Sequence, residues 1–212
     1  SGQYLLGILI ETADVLMEGA APDRRETLNL ASVVVGNPGL VHAAITPYGV
    51  KSPRSAQPVT DLTILAGGGP VWSCGYDDHE LPPIRGGGFQ GYNTGAHYTV
   101  MSVLTALLSR YASGEGQFID VSLHAAANVT TEMASYHWLI QQGTVQRQTG
   151  RHAMEIETAS TQVRSGDGRY VNTGVMPRTP REFAGLLQWI EDAGLRDEFP
   201  ETVFIEMATQ RE

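Results

Sequence analysis

The stretch LVHAAIT, residues 40–46, is apolar without alternation. A strand with one wet face alternates polar and apolar residues, whereas one without alternation must be covered on both faces. Buried strands of parallel sheets, covered by helices on both faces, have this pattern. The turn Asn37-Pro38-Gly39 introduces the strand. Further strand signals lie at Asp14–Glu18 and in QFIDVSL, residues 117–123, with helical patterns between them. A helix is predicted over roughly Tyr4–Glu11, and one or two helical turns around Leu62, Ile64 and Leu65. A long helix follows Thr94, and a second, AAANVTTEMASYHWLIQQG, ends at Gly143. Strands alternating with helices predict an α/β fold.

The long helix carries Val100, Met101, Val103, Leu104, Leu107, Leu108 and Tyr111 on more than one face, which predicts burial on most sides. Thr94 is its expected N-cap and Gly114 its expected terminating glycine. Residues 47–93 are otherwise rich in Gly, Pro and Ser and read as loop; a loop that long inside a compact chain usually serves function. Beyond residue 143, TVQRQTGRHAMEIETASTQVRSGDG is polar and weakly periodic, as a linker is. RYVNTGV then reads as a short strand, and Thr179-Pro180-Arg181-Glu182 as a capping box opening another helix. The predicted organisation is a large domain over 1–145, a linker over 146–165 and the beginning of a small domain over 166–212.

Composition removes several function classes. The net charge is −9 and thirteen of fourteen cations are arginine, so neither bulk charge nor any basic run suggests a nucleic-acid partner. Any anionic ligand must be held by backbone N–H groups and a few placed arginines. Cys74 is the single cysteine, which excludes a disulfide framework or a cysteine metal site and suits a reducing cytoplasm. The six histidines show no ligand spacing, and no metal is expected: His97 and His124 read as packed in apolar runs, His79 as exposed. No apolar run is long enough for a membrane span. The opening residues lack a basic start and are interrupted by Glu11 and Asp14, unlike a signal peptide. The chain opens in mid-pattern, as a fragment would.

GGGFQGYNTGAHYT, residues 86–99, places four glycines within six positions. Gly86, Gly88 and Gly91 formally match the G-x-G-x-x-G dinucleotide fingerprint, which must follow a strand and open a helix directly. ELPPIR precedes it instead, and two prolines are poor material for a central strand. A nicotinamide or flavin oxidoreductase is therefore disfavoured, and no NAD is expected. The glycines do lead into a helix N-terminus, where free N–H groups favour a carboxylate or a thioester oxyanion. The competing structural explanation is close packing of two backbones.

Several stretches, in order, resemble the class III CoA-transferases, the CaiB/BaiF family. ADVLMEGAAP resembles the family's ADVLVENFRP, and NPGLVHAAITPYG its NPGLVYASITGFG. SPRSAQPVTDLTILAGG, the glycine loop with its long helix through GEGQFIDVSL, and SGDGRYV resemble further family segments. Agreement spans about residues 8–200. The resemblance implies a Rossmann-like parallel-sheet large domain joined by linkers to a small α/β domain, in dimers of interlocked chains about twice this length. The present chain resembles the middle portion, so its large domain is incomplete. A CoA thioester is the implied substrate, together with a carboxylic acid acceptor.

In that family an aspartate opening the glycine-loop helix attacks the acyl-CoA thioester, and glycine N–H groups hold the oxyanions. Anchoring the family's D-x-x-x-G on Gly95 puts the nucleophile at Gly91; counting from Pro82-Pro83 puts it at Tyr92. Neither is an aspartate, and no acidic residue lies between Glu80 and Glu115. A phenol, ordinarily neutral near pH 7, is no substitute. The family's Asn-Phe-Arg, part of the CoA site, is Gly19-Ala20-Ala21 here. Thr60 stands where the racemases of the family carry histidine, and the following acid, Asp61, is retained. Asp61 is the remaining acid/base candidate, although capping of the turn that follows it is the favoured reading of the residue. The implied CoA contacts are Gly19, Ala20, Ala21, Lys51, Gly88, Gln90, Gly91, Tyr92 and Asn93.

Three functions therefore stand against one another. The chain is a non-catalytic subunit beside an aspartate-bearing paralogue, or an active CoA-transferase that borrows a residue from outside the chain, or a dinucleotide oxidoreductase. Homodimer and heterodimer are both open at this point.

Overall fold

The computed structural model describes residues 2–173 and 176–210, the side chains of Val33 and Glu132 apart. The chain forms two compact units, Ser1–Thr158 and Ala159–Glu212.

In the first unit α1 (Gly2–Glu11) leads to β1 (Val15–Glu18), α2 (Pro22–Thr27) and α3 (Leu30–Val33). β2 (Val41–Thr46), α4 (Asp61–Gly68), α5 (Gln90–Ser113) and β3 (Phe118–Ser122) follow. The three strands form a parallel sheet in the order β1-β2-β3. The unalternating strand is its centre, with Val41, Ala43 and Ala44 completely buried. Val41 and Ala43 pack against Val103 and Ala106 of α5, joined by Val15 and Ile119 from the neighbouring strands. Leu16, Glu18, His42, Ala44, Phe118 and Asp120 fall on the opposite face by the strand register. A second core cluster joins Ile64 and Leu65 of α4 to Leu123 and Ala127 of α6 (Leu123–Val129).

Two helical expectations change. α5 begins at Gln90, one turn before Thr94, which lies inside the helix. Its buried residues are Gly91, Gly95, Thr99, Val103 and Ala106, a single stripe of small side chains. The other faces are open, Leu108 being 74% and Tyr111 94% exposed. Burial on most sides is thus corrected: apolar content extended beyond the face that the sheet and α6 cover. The second long helix is also broken, into α6, α7 (Glu132–Tyr136) and a π-helical turn, His137–Gln141. The hydroxyls of Thr130 and Thr131 donate to the carbonyls of Ala127 and Asn128, at 2.7 Å each, and compete with helix continuation.

Residues 146–154, read from sequence as linker, hold an antiparallel pair, β4 (Gln146–Gln148) and β5 (Arg151–Met154). Buried Arg147 reaches from it to the carbonyls of His79 and Leu81. In the second unit β6 (Gln162–Arg164) pairs with β7 (Tyr170–Asn172). α8 (Pro180–Asp192) carries the expected capping box, with Thr179 accepting from the Glu182 N–H, and packs on α9 (Thr202–Thr209).

The crossing of α4 over α6 depends on Gly68. A Cβ there would stand 2.7 Å from Ala127 Cβ and 3.1 Å from the His124 carbonyl. Because backbone cannot yield as a side-chain tip does, Gly68→Ala is expected to cost about 2 kcal/mol despite alanine's better helix propensity. Urea unfolding measures it.

Candidate functional site

Two groups of residues converge in the first unit, one at the start of α5 and one at the carboxyl ends of β1 and β2.

At the start of α5 the helix opens without a cap of its own, since Phe89 supplies no side-chain bond. The cap comes from α4. Buried Asp61 accepts the Gly91 N–H at 2.8 Å and the Tyr92 N–H at 3.3 Å through Oδ1. Its Oδ2 takes a 3.0 Å hydrogen bond from Arg85 Nη1, which also donates to the Gly88 carbonyl at 2.8 Å. One carboxylate therefore joins α4, α5 and the glycine turn, and the helix dipole favours its charge. α4 does not use Asp61 as its cap. Thr60 does that, within a capping box closed by Thr63.

The glycines serve two purposes. Gly88 takes φ +75°, a left-handed turn closed by Arg85. Gly91 and Gly95 allow close approach: a Cβ at 91 would lie 3.1 Å from both Asp61 Oδ1 and Ile64 Cγ2, and one at 95 would lie 2.1 Å from Leu123 Cδ2. The two positions to which the attacking residue aligns therefore differ. Position 91 is buried against an existing carboxylate, whereas Tyr92 is 40% exposed. Gly88, Gln90 and Asn93 are exposed around the same helix end.

The second group surrounds a cleft of about 510 Å³ lined by Gly19, Ala20, Ala21, Pro22 and Arg25 on one side. Thr46, Pro47, Val50 and residues Ser55–Val59 form the other. Its position beyond the carboxyl ends of parallel strands is where open α/β sheets place ligands. Lys51 is exposed and outside the lining, next to Val50. Two strand carboxylates shape the walls. Glu18 accepts the Ala20 N–H at 2.8 Å, and Asp120 accepts the Val50 N–H at 3.0 Å through each oxygen. Gly49, at φ +93°, brings its Cα hydrogen against Asp120.

Behind the cleft Glu18 is ion-paired with Arg25 and stands 3.5 Å from His42 Nε2. Burial first, and then the Arg25 charge, hold the His42 imidazole below the ordinary histidine pKa. Arg85, Glu18, Arg25 and Asp120 were not singled out in the sequence. Arg85 directly precedes the glycine cluster, which is the one local signal for it; the others meet only through strand register. His97, expected to be packed, is exposed on α5, while His124 does pack, its ring 5.5 Å from that of Tyr48. His79 is exposed as expected. Among the described residues no group of three His, Cys, Asp or Glu side chains could hold a metal ion, and no helix is long and apolar enough to cross a membrane.

The sequence profile of CoA-transferase family III matches residues 1–204. The chain belongs to that family. It is 29% identical over 93% of its length to succinyl-CoA:(R)-benzylsuccinate CoA-transferase subunit BbsE of Thauera aromatica, of which it spans 47%. It is 28% identical over 84% of its length to the succinyl-CoA–L-malate CoA-transferase beta subunit of Chloroflexus aurantiacus, spanning 44% of that protein. The chain thus covers less than half of these curated relatives. Among solved structures, a CaiB/BaiF family protein from Brucella suis superposes with a TM-score of 0.68 at 20% identity, over 100% of this chain and 58% of that one. The shared fold agrees with the parallel sheet described above and with the α/β class expected from sequence.

Removing the carboxylate at the start of α5 strands two N–H groups and Arg85. Asp61→Ala is expected to lower stability by about 2 kcal/mol, and Asp61→Asn by less, because its amide oxygen still accepts. Thermal unfolding of the two variants checks the order.

His42 predicts a pH dependence. Its pKa is depressed in the folded state, so on acidification the unfolded chain takes up the proton first. Its contribution to stability is therefore complete above the ordinary value near about 6.5 and is lost as pH falls below it. Urea unfolding between about pH 8 and pH 5 should show this decline, and His42→Gln should flatten it.

Proposed function

We propose that this chain is a non-catalytic subunit of a CoA-transferase that moves CoA between carboxylic acids, paired with an aspartate-bearing paralogue. One observation carries the reading. The start of α5, where the family's nucleophile belongs, has no carboxylate of its own between Glu80 and Glu115. The carboxylate that does reach this helix end, Asp61, is buried and engaged by two backbone N–H groups and Arg85. A nucleophilic oxygen must be free to approach a thioester carbon, and this one is held as a structural cap.

In the assembly the partner's aspartate attacks the acyl-CoA carbonyl; the C–S bond breaks, and an enzyme anhydride and CoA thiolate result. The thiolate then attacks the aspartyl carbonyl and releases the donor carboxylate. The acceptor carboxylate displaces aspartate from its CoA thioester by the reverse sequence. The present chain contributes architecture and, through Gly19, Ala20 and Ala21, a ligand cleft. On this reading residues 1–145 are the large-domain portion and 166–212 the beginning of the small domain. The open apolar faces of α5 suit a chain that works in contact with another. Two relatives named as subunits support the heteromeric form.

The test is to express the chain alone and with an aspartate-bearing paralogue and to assay CoA transfer from succinyl-CoA. Turnover is expected only from the pair, and hydroxylamine should trap an activated carboxylate on the paralogue. Turnover by the isolated chain, or a hydroxamate on it, overturns the proposal.

A further inference from the structure

The turn that leaves α4 and the broken helix after α6 share a groove of about 510 Å³. Gly69 ends α4 at φ +110°, and a Cβ there would stand 3.1 Å from Thr131 Cγ2; both features call for glycine. The turn closes where the Trp72 N–H donates to the Gly69 carbonyl at 2.9 Å. Trp72 lines the groove from this turn, its ring fixed by a 2.8 Å hydrogen bond from Nε1 to the Val145 carbonyl. Trp138 and Leu139 line it from the π-helical turn His137–Gln141, an irregularity that recurs at functional sites. The groove lies at the end of α4 opposite Asp61, about 12 Å away along the helix. It shares no lining residue with the cleft beyond β1 and β2.

The lining selects the ligand. Trp72 is 47% and Trp138 54% exposed, and among the described residues neither indole makes a ring contact. The hydroxyls of Ser73 and Ser135 lie in the same lining, and among the described residues neither has a hydrogen-bond partner. No charged side chain among the described residues lines the groove. Indoles attract other aromatic rings beyond the area that such contacts bury. A groove of this volume holds a small ligand, whereas a stable protein partner would have to cover about 800 Å². We propose that the groove is a ligand site separate from the cleft, taking an uncharged aromatic molecule of one or two rings with a hydroxyl or amide substituent. This site is independent of the CoA reading.

The experiment titrates the full chain at neutral pH with three probes, following the indole N–H resonances by NMR. 2-Naphthol is uncharged and aromatic, decahydro-2-naphthol keeps the hydroxyl without the aromatic rings, and 2-naphthoate keeps the rings but adds a charge. Trp189, in the second compact unit, is the internal control. 2-Naphthol should shift the Trp72 and Trp138 resonances, leave that of Trp189 unmoved, and bind about fivefold or more tightly than either other probe. Trp138→Ala should weaken 2-naphthol about tenfold or more, and Trp138→Phe, which keeps a ring, much less. Because loss of the indole can disturb the π-helical turn, Ser135→Phe, which fills the groove with both indoles in place, should weaken binding by a similar factor.

Equal affinity for 2-naphthol and either other probe overturns the proposal, as do shifts at Trp189 as large as those at Trp72 and Trp138. So does binding that Trp138→Ala and Ser135→Phe both leave unchanged, or no binding of 2-naphthol to the unaltered chain. Self-association of the chain that Trp138→Ala abolishes also overturns it, since a second copy would then be what covers the groove.

Discussion

The carboxylate of Asp61 at the start of α5 is the contact on which the architecture around the glycine loop depends. A 24-residue helix leaves its first N–H groups without partners and concentrates positive potential at that end. Here α4 supplies the anion, Gly91 leaves room for it, and Arg85 neutralises its second oxygen while closing the turn at Gly88. Helix start, loop shape and the packing of α4 on α5 are thereby one event.

The other end of the sheet follows a similar rule with a different result. Glu18 on β1 and Asp120 on β3 flank Ala44 in register, and each grips the backbone of a loop beyond the strands. Loops of this kind are held by side chain–backbone bonds, since no ladder continues past the strand ends. The result is a cleft with shaped walls and little net charge. An acidic chain of this type depends on placed groups for ligand recognition, and Arg25 in the cleft wall is ion-paired with Glu18.

Much of this was legible in the residues. LVHAAIT announced a central buried strand because its pattern admits no wet face. Gly114 announced the end of α5, and Thr179 with Glu182 the beginning of α8, because these are local backbone problems with local side-chain solutions. The family was legible from motifs in order, and so was the absence of an aspartate after the glycines. The start of α5 was misjudged because its cap, Asp61, lies thirty residues away in sequence. The break after α6 was missed because the competition offered by Thr130 and Thr131 is weak unless packing sides with it.

Sequence alone determined the α/β class, the central buried strand and the absence of an acidic residue between Glu80 and Glu115, since each depends on residue type and near-neighbour spacing. Tertiary structure alone decided what Asp61 does, which faces of α5 are open, and that Glu18 meets Arg25 beside Ala20. Those outcomes depend on strand register and helix crossing. Hydrogen bonds and charges act over a few ångströms of space, and chain separation does not reveal that distance.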